Sequence, residues 1–159
     1  MEINIEQVPG MRLAYVRHTG SYSDFDGIRR TWEKLFAWED ENKIPGTIPG
    51  KSPVPIGISH DDPGTVPPEH CRYDASILVA DSVTESDGMP IQVIPEGKYA
   101  CYIHLGDYKT IGDSLNKMVE WIKENDLVIR PGPFLEFHLD QPGEAPPDKI
   151  RTKLCIPVK

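Results

Sequence analysis

Cysteine is scarce: the 159 residues hold three, Cys71, Cys101 and Cys155, odd in number and far apart. None forms a Cys-x-x-Cys pair, so neither a disulfide framework nor a thiolate zinc site is expected, and reduced buried thiols in the cytosol are the default. Positive charge is also short. Lys and Arg number 17 against 25 Asp and Glu, a formal net charge of −8. Residues 1–79 carry 8 basic and 12 acidic side chains and residues 80–159 carry 9 and 13, so each half stands at −4. Without a basic stripe to track phosphates, direct nucleic-acid binding is not expected. No segment approaches the ~18 apolar residues of a membrane span. The opening Met-Glu-Ile-Asn-Ile-Glu lacks the basic region and apolar run of a signal peptide. A cytoplasmic protein with no membrane partner is therefore expected.

Motifs of catalysis are missing as well. There is no Gly-x-Ser-x-Gly, no Walker loop, no Gly-x-Gly-x-x-Gly and no His-Glu-x-x-His. No catalytic residue and no cofactor is assigned. His60-Asp61-Asp62 and His70-Cys71 could hold a metal only if the fold joined them. Both lie in turn-rich segments, where side chains of this kind are most simply solvated, and no metal is expected.

What the chain does have is 16 prolines and 13 glycines, which point to many turns, and a regular alternation of strand and helix patterns between them. Residues 2–8 alternate, Pro9-Gly10 breaks the run, and residues 11–18 form a second strand pattern ending at Gly20. Ser21 to Asp24 can cap a helix over residues 25–42, where Phe25, Ile28, Trp32, Leu35 and Phe36 recur at helical spacing. A Pro-Gly-rich loop, a short strand at 55–60, a turn-rich connection and an apolar strand at 73–80 follow. The pattern then restarts with strands at 89–94 and 98–105. A helix carries Ile111, Leu115, Met118, Val119 and Ile122, and strands at 134–139 and 150–158 close the chain.

The restart is a repeat. Ala14-Tyr-Val-Arg-His-Thr-Gly-Ser-Tyr22 aligns with Ala100-Cys-Tyr-Ile-His-Leu-Gly-Asp-Tyr108. With short indels in predicted loops, Trp38 meets Trp121, Asp61 meets Asp140, Pro63 meets Pro142, and Arg72 meets Arg151. The expected class is α+β: a tandem duplication of a βαββ unit, the two units packed as one compact domain. The whole of 1–159 makes one domain, unit one being about 1–81 and unit two about 89–159. His18 and His104 are equivalent strand-end residues, most simply used in strand-to-helix hydrogen bonding.

One strand carries a residue foreign to a simple core. In Phe134-Leu-Glu-Phe-His138, period-2 alternation puts Leu135, Phe137 and Leu139 on one face, which can pack on helices. Phe134, Glu136 and His138 share the other. A buried unpaired carboxylate is costly, so Glu136 is solvated, paired, or kept for a partner. Its aligned partner in the first unit is Gly57, so one copy offers a carboxylate and the other empty space, an asymmetry that suits a pocket between the halves.

These motifs, together with Leu35-Phe-Ala-Trp38, Gly57-Ile-Ser-His-Asp-Asp-Pro63, Arg72-Tyr-Asp-Ala75, Gly97-Lys-Tyr-Ala100 and the final Ile156-Pro-Val158, resemble the GyrI-like (gyrase-inhibitor-like) small-molecule-binding domain. That domain also serves as the effector-binding module of some AraC-type and MerR-type multidrug-sensing regulators. The resemblance covers essentially the whole chain and implies a stand-alone module, since no helix-turn-helix precedes the first strand. It further implies pseudo-twofold symmetry of the two βαββ units around a central ligand groove, and binding of bulky, aromatic, often cationic compounds there, with the pocket glutamate falling at Glu136. The family usually reads Phe-Glu-x-Tyr in that strand. Here one extra residue separates Phe134 from the acid, and His138 replaces the commoner tyrosine. Phe134 and His138 on the same strand face, Tyr102 and His104 on the preceding central strand, and Trp38 and Trp121 are the candidate walls. Two alternatives stand beside this reading: a DNA gyrase inhibitor or toxin-protection protein acting by protein contact, and a hydrolase of strained, cyclopropanoid-type electrophiles.

Overall fold

The computed structural model describes residues 1–141 and 143–159; Pro142, which the repeat aligns with Pro63, lies outside the described residues. In chain order the first elements are β1 (Asn4–Val8), β2 (Met11–Thr19), α1 (Phe25–Asn42), β3 (Pro55–Ser59) and β4 (Arg72–Leu78). They are followed by β5 (Ile91–Ile94), β6 (Gly97–Leu105), α2 (Ile111–Glu124), β7 (Phe134–His138) and β8 (Arg151–Pro157). The mixed α+β class is as expected, and α1 has the predicted bounds.

The chain divides into two compact units, Gly10–Pro95, and Met1–Pro9 together with Glu96–Lys159. In the first, β3, β4, β2 and β5 pair side by side, all antiparallel. Its core joins Ala14 of β2 and Ala75 and Ile77 of β4 to Leu35 and Trp38 of α1. In the second, β1, β6, β8 and β7 pair in that order, again antiparallel. Ala100, Leu154 and Ile156 pack there against Ile111, Met118 and Ile122 of α2. β1 thus pairs with β6, more than ninety residues downstream, as in Ile5↔Ala100. Strand patterning alone could not show this, because pairing partners are chosen by tertiary packing.

The two sheets keep a common register. Ala14 faces Ile77 as Ala100 faces Ile156, and Gly57 faces Ala75 as Glu136 faces Leu154. Arg72 clamps Asp61 through Nε at 2.9 Å and Nη2 at 2.9 Å, and Arg151 clamps Asp140 at 2.9 and 2.8 Å. His18 Nε2 lies 3.3 Å from the Ser21 carbonyl, and His104 Nε2 lies 3.3 Å from the Asp107 carbonyl. The arginines meet local acids, and the histidines tie strand ends to helix starts, the role expected of them.

One expectation is reversed. Phe134 and Tyr102 pack on the α2 cluster, and Leu154, the direct partner of both Tyr102 and Glu136, is a core member of it. Directly opposed residues project to the same side of a sheet. The helix-bearing face is therefore the one with Phe134, Glu136 and His138, and not the one with Leu135 and Phe137. Leu139 lies just beyond β7 and is exposed. Period-2 spacing says which residues share a face, and nothing about which face a helix covers.

Asp24 caps α1 by accepting from the Gly27 amide at 3.0 Å. Gly27 is there for space: a Cβ would stand 2.4 Å from Asp24 Oδ2 and 2.8 Å from His18 Cε1. Gly112 in α2 has open space around the same position. The same substitution should therefore have opposite signs. Gly27→Ala displaces the cap and should cost about 1–2 kcal/mol, whereas Gly112→Ala should gain about 0.5 kcal/mol from helix propensity. Urea denaturation of both variants reads the difference directly.

Candidate functional site: a buried carboxylate on the helix-bearing face

Glu136 stands mid-strand in β7, opposite Leu154, and is 9% exposed. Such a position is dictated by the backbone: its neighbours Leu135 and Phe137 take the other face, so the carboxylate must point toward the side where α2 lies. Phe134 and His138 flank it two residues away on either side, and His138 Nε2 is 3.8 Å from its Oε2. Across the sheet, Tyr102, Leu154 and Glu136 form one row, and His104, Thr152 and His138 the next. Tyr102 and Trp121 are half-buried against the α2 cluster. The structure thus brings six of the seven candidate residues to one face of one unit.

They do not have equal freedom. His104 is buried, with Nδ1 2.8 Å from Ser114 Oγ and Nε2 3.2 Å from Thr110 Oγ1, so both ring nitrogens are engaged in holding the start of α2. Trp38 belongs to the Gly10–Pro95 unit. It is buried in the α1 core, and its indole N–H donates to the Asp87 carbonyl at 2.7 Å.

A second buried acid escaped the sequence reading. Asp74 lies within the apolar β4 and is fully buried. Arg17 of β2 donates to it through Nε and Nη2 at 2.8 and 3.0 Å, and Gln92 of β5 donates at 2.8 Å. His60, next after β3, stands 2.6 Å away. Burial would raise this carboxyl, but the hydrogen bonds from His60, Arg17 and Gln92 outweigh it and hold Asp74 at about 2. A lone acid among β-formers was the available signal, the same one that singled out Glu136. An aromatic nest was also missed: Trp32 stacks on Phe36 at 5.5 Å between ring centroids, and its N–H donates to the Tyr73 hydroxyl at 3.2 Å.

Two grooves are open on the Gly10–Pro95 unit. One of about 490 Å³ runs between the C-terminal end of α1 and residues 43–53, past Phe36, Glu39, Lys43 and Ile44. The other, of about 290 Å³, passes His18, Gly27, Arg30 and Lys34. Neither is lined by Glu136. Among the described residues no group of three or more His, Cys, Asp or Glu could hold a metal ion. His60 is turned to Asp74 and Asp61 to Arg72. No described helix is long and apolar enough to cross a membrane.

The comparisons with known proteins agree on the family and on the α+β fold. The family described as the GyrI-like small molecule binding domain matches residues 1–159. The chain belongs to the GyrI-like family. One relative is the "SPbeta prophage-derived putative transcriptional regulator YosT" of Bacillus subtilis (strain 168). It is 27% identical over 141 residues, which cover 89% of this chain and 91% of YosT. Among solved structures, the EcmrR chain in its complex with DNA superposes with a TM-score of 0.80 at 17% identity, covering 99% of this chain. This chain spans only 57% of the EcmrR chain, so the likeness concerns one part of that protein. SAV2435, solved bound to tetraphenylphosphonium, superposes with a TM-score of 0.69 at 15% identity, covering 100% of this chain and 94% of that one.

Proposed function

We propose that this GyrI-like chain binds bulky aromatic cations, with Glu136 as the acidic anchor. The observation that carries the reading is a carboxylate nine-tenths buried between Phe134 and His138 on the helix-bearing face of a sheet. A cation placed against Glu136 recovers part of what burying the acid costs, and aromatic faces nearby add cation–π attraction of about 0.5–2 kcal/mol each. Phe134, His138, Tyr102 and Trp121 are the walls of this proposed site. His104 supports it by fixing α2, and Trp38 serves the core of the other unit. The phosphonium in the SAV2435 structure is a ligand of the proposed chemical type.

The relatives named as regulators support an effector-sensing role. With a net charge of −8 these residues are unsuited to a phosphate backbone, so a regulatory effect would run through a protein that they contact. The common register of the two sheets supports a tandem duplication of a βαββ segment, in which the acid arose or was kept in one copy only. The gyrase-directed reading gains no supporting observation and is not carried forward.

Thermal unfolding with tetraphenylphosphonium and with neutral triphenylphosphine oxide tests the proposal. At 100 times Kd a ligand of the native state contributes about 2.7 kcal/mol, which should raise Tm by roughly 5–10 °C. Equal or absent shifts for the two compounds would remove the cation-binding reading.

A further inference from the structure

Two of the three cysteines meet. Cys101 of β6 and Cys155 of β8 are direct cross-strand partners, and their Sγ atoms lie 2.8 Å apart. Both are unbridged thiols and both are buried. Directly opposed residues on neighbouring antiparallel strands already have their β-carbons within roughly 5 Å, close to the ~3.5–4.5 Å that a disulfide spans. Closing the bond therefore needs a small side-chain adjustment and no rearrangement of the sheet. Fifty-four positions separate the two in sequence, so their meeting is a product of the fold and not of a local motif.

The pair also has a route to solvent. Asn4 of β1 is the direct cross-strand partner of Cys101, and Glu6, two residues along β1, shares their face of the sheet. Glu6 is itself 40% exposed and held by Lys153 Nζ at 3.0 Å. In the Met1–Pro9, Glu96–Lys159 unit β1 lies at the edge of the sheet, beside β6. Cys71 is different: it is in the Gly10–Pro95 unit, and its thiol contacts the Val66 carbonyl at 3.6 Å.

We propose that Cys101 and Cys155 are a reversible dithiol–disulfide site, oxidised by small hydroperoxides and restored by thiols. In the first step the Cys101 sulfur, its proton passing to Glu6 and on to solvent, attacks a peroxide oxygen. The O–O bond breaks, the sulfur becomes a sulfenic acid, and the peroxide's other oxygen leaves as water or alcohol. In the second step the Cys155 sulfur attacks the Cys101 sulfur and expels hydroxide, which takes the Cys155 proton and leaves as water. Two thiols lose two electrons and two protons, and one peroxide gains them. The product is a staple between β6 and β8 on the face opposite Glu136. The neighbouring Cys155 thiol and then burial push the Cys101 thiol up, so the reaction is slower than that of an exposed activated cysteine.

The test uses the full chain, reduced, desalted and treated in its native state with hydrogen peroxide or with diamide. Alkylation followed by intact-mass and peptide analysis then counts and places the thiols. The expected result is loss of two hydrogen masses, one remaining thiol at Cys71, and a Cys101–Cys155 linked peptide reversed by dithiothreitol. Tm should rise by several degrees on oxidation, because the cross-link restricts the unfolded chain. Cys71→Ser should keep the linked peptide, its reversal and the Tm rise while leaving no alkylatable thiol, and Cys155→Ala should abolish the linked peptide. Three alkylatable thiols after both oxidants would overturn the proposal. So would a sulfinic acid at Cys101 in place of the link, or a disulfide that joins two chains through Cys71.

Discussion

Replacing Asp74 by alanine should destabilise the protein by about 3–5 kcal/mol, a large part of the roughly 5–15 kcal/mol by which most domains are stable. The reason lies in what Asp74 gathers. Arg17, Gln92 and His60 come from β2, β5 and the end of β3, and all point their donors at one carboxylate on β4. Removing the acceptor orphans a guanidinium, an amide and an imidazole together. Asp74→Asn keeps the shape and one oxygen, and should cost less, about 2 kcal/mol. The pH dependence follows from the same contacts. Asp74 titrates at about 2 in the folded chain and near 3.9 when unfolded. A depressed carboxyl contributes stability that is present above the unfolded value and lost as pH falls through the folded one. The contribution is about 2.5 kcal/mol, and it should fade between roughly pH 4 and pH 2. Urea denaturation across that window, in native and Asp74→Asn chains, measures it. An unchanged pH slope in the variant would show that other groups govern acid unfolding.

The second large effect concerns ligand. Glu136→Gln should weaken tetraphenylphosphonium by about 30-fold or more, while a neutral triaryl analogue changes by less than about threefold. Truncating one partner of a buried charge pair costs about 2–5 kcal/mol, and 2 kcal/mol corresponds to about 30-fold in Kd. Glutamine keeps the volume and an acceptor oxygen beside Phe134 and His138, so packing is preserved and the comparison isolates charge. Isothermal titration of both ligands against both proteins decides it. A parallel loss for the two would mean that position 136 shapes the site without anchoring a charge.

Much of this architecture could be read before any coordinates. α1 was legible because an apolar stripe, an Asp cap and a following loop agree with one another. The alignment of the two halves puts its indels in loops and agrees with the strand register, in which Gly57 stands opposite Ala75 and Glu136 opposite Leu154. Glu136 stood out because an acid between aromatic residues in a strand is costly without a reason. Other features were not legible for a physical cause. The covered face of β7 depends on where α2 docks, and the face it covers is the more polar one, with Glu136 and His138, while Leu135 and Phe137 take the other. Asp74 was lost inside a strand read as apolar, since its three donors lie 14 to 57 residues away and only pairing reveals them. Cys101 and Cys155 looked unrelated for the same reason.

The pairing of β1 with β6 has a bearing on how the chain is made. Gly10–Pro95 is continuous and can complete its own sheet as soon as it leaves the ribosome, but the unit with Glu136 cannot. Its outermost strand is synthesised first and must wait for partners that come last; Glu6 and Lys153 are 147 positions apart. Long-range pairings of this kind close slowly because the intervening chain must be ordered before they are rewarded, and domains made during synthesis fold as their last strand emerges. The half that carries Glu136 is therefore the late half of the molecule, the part in which a slow codon, a missing chaperone or a bulky group fused at residue 1 should first be felt.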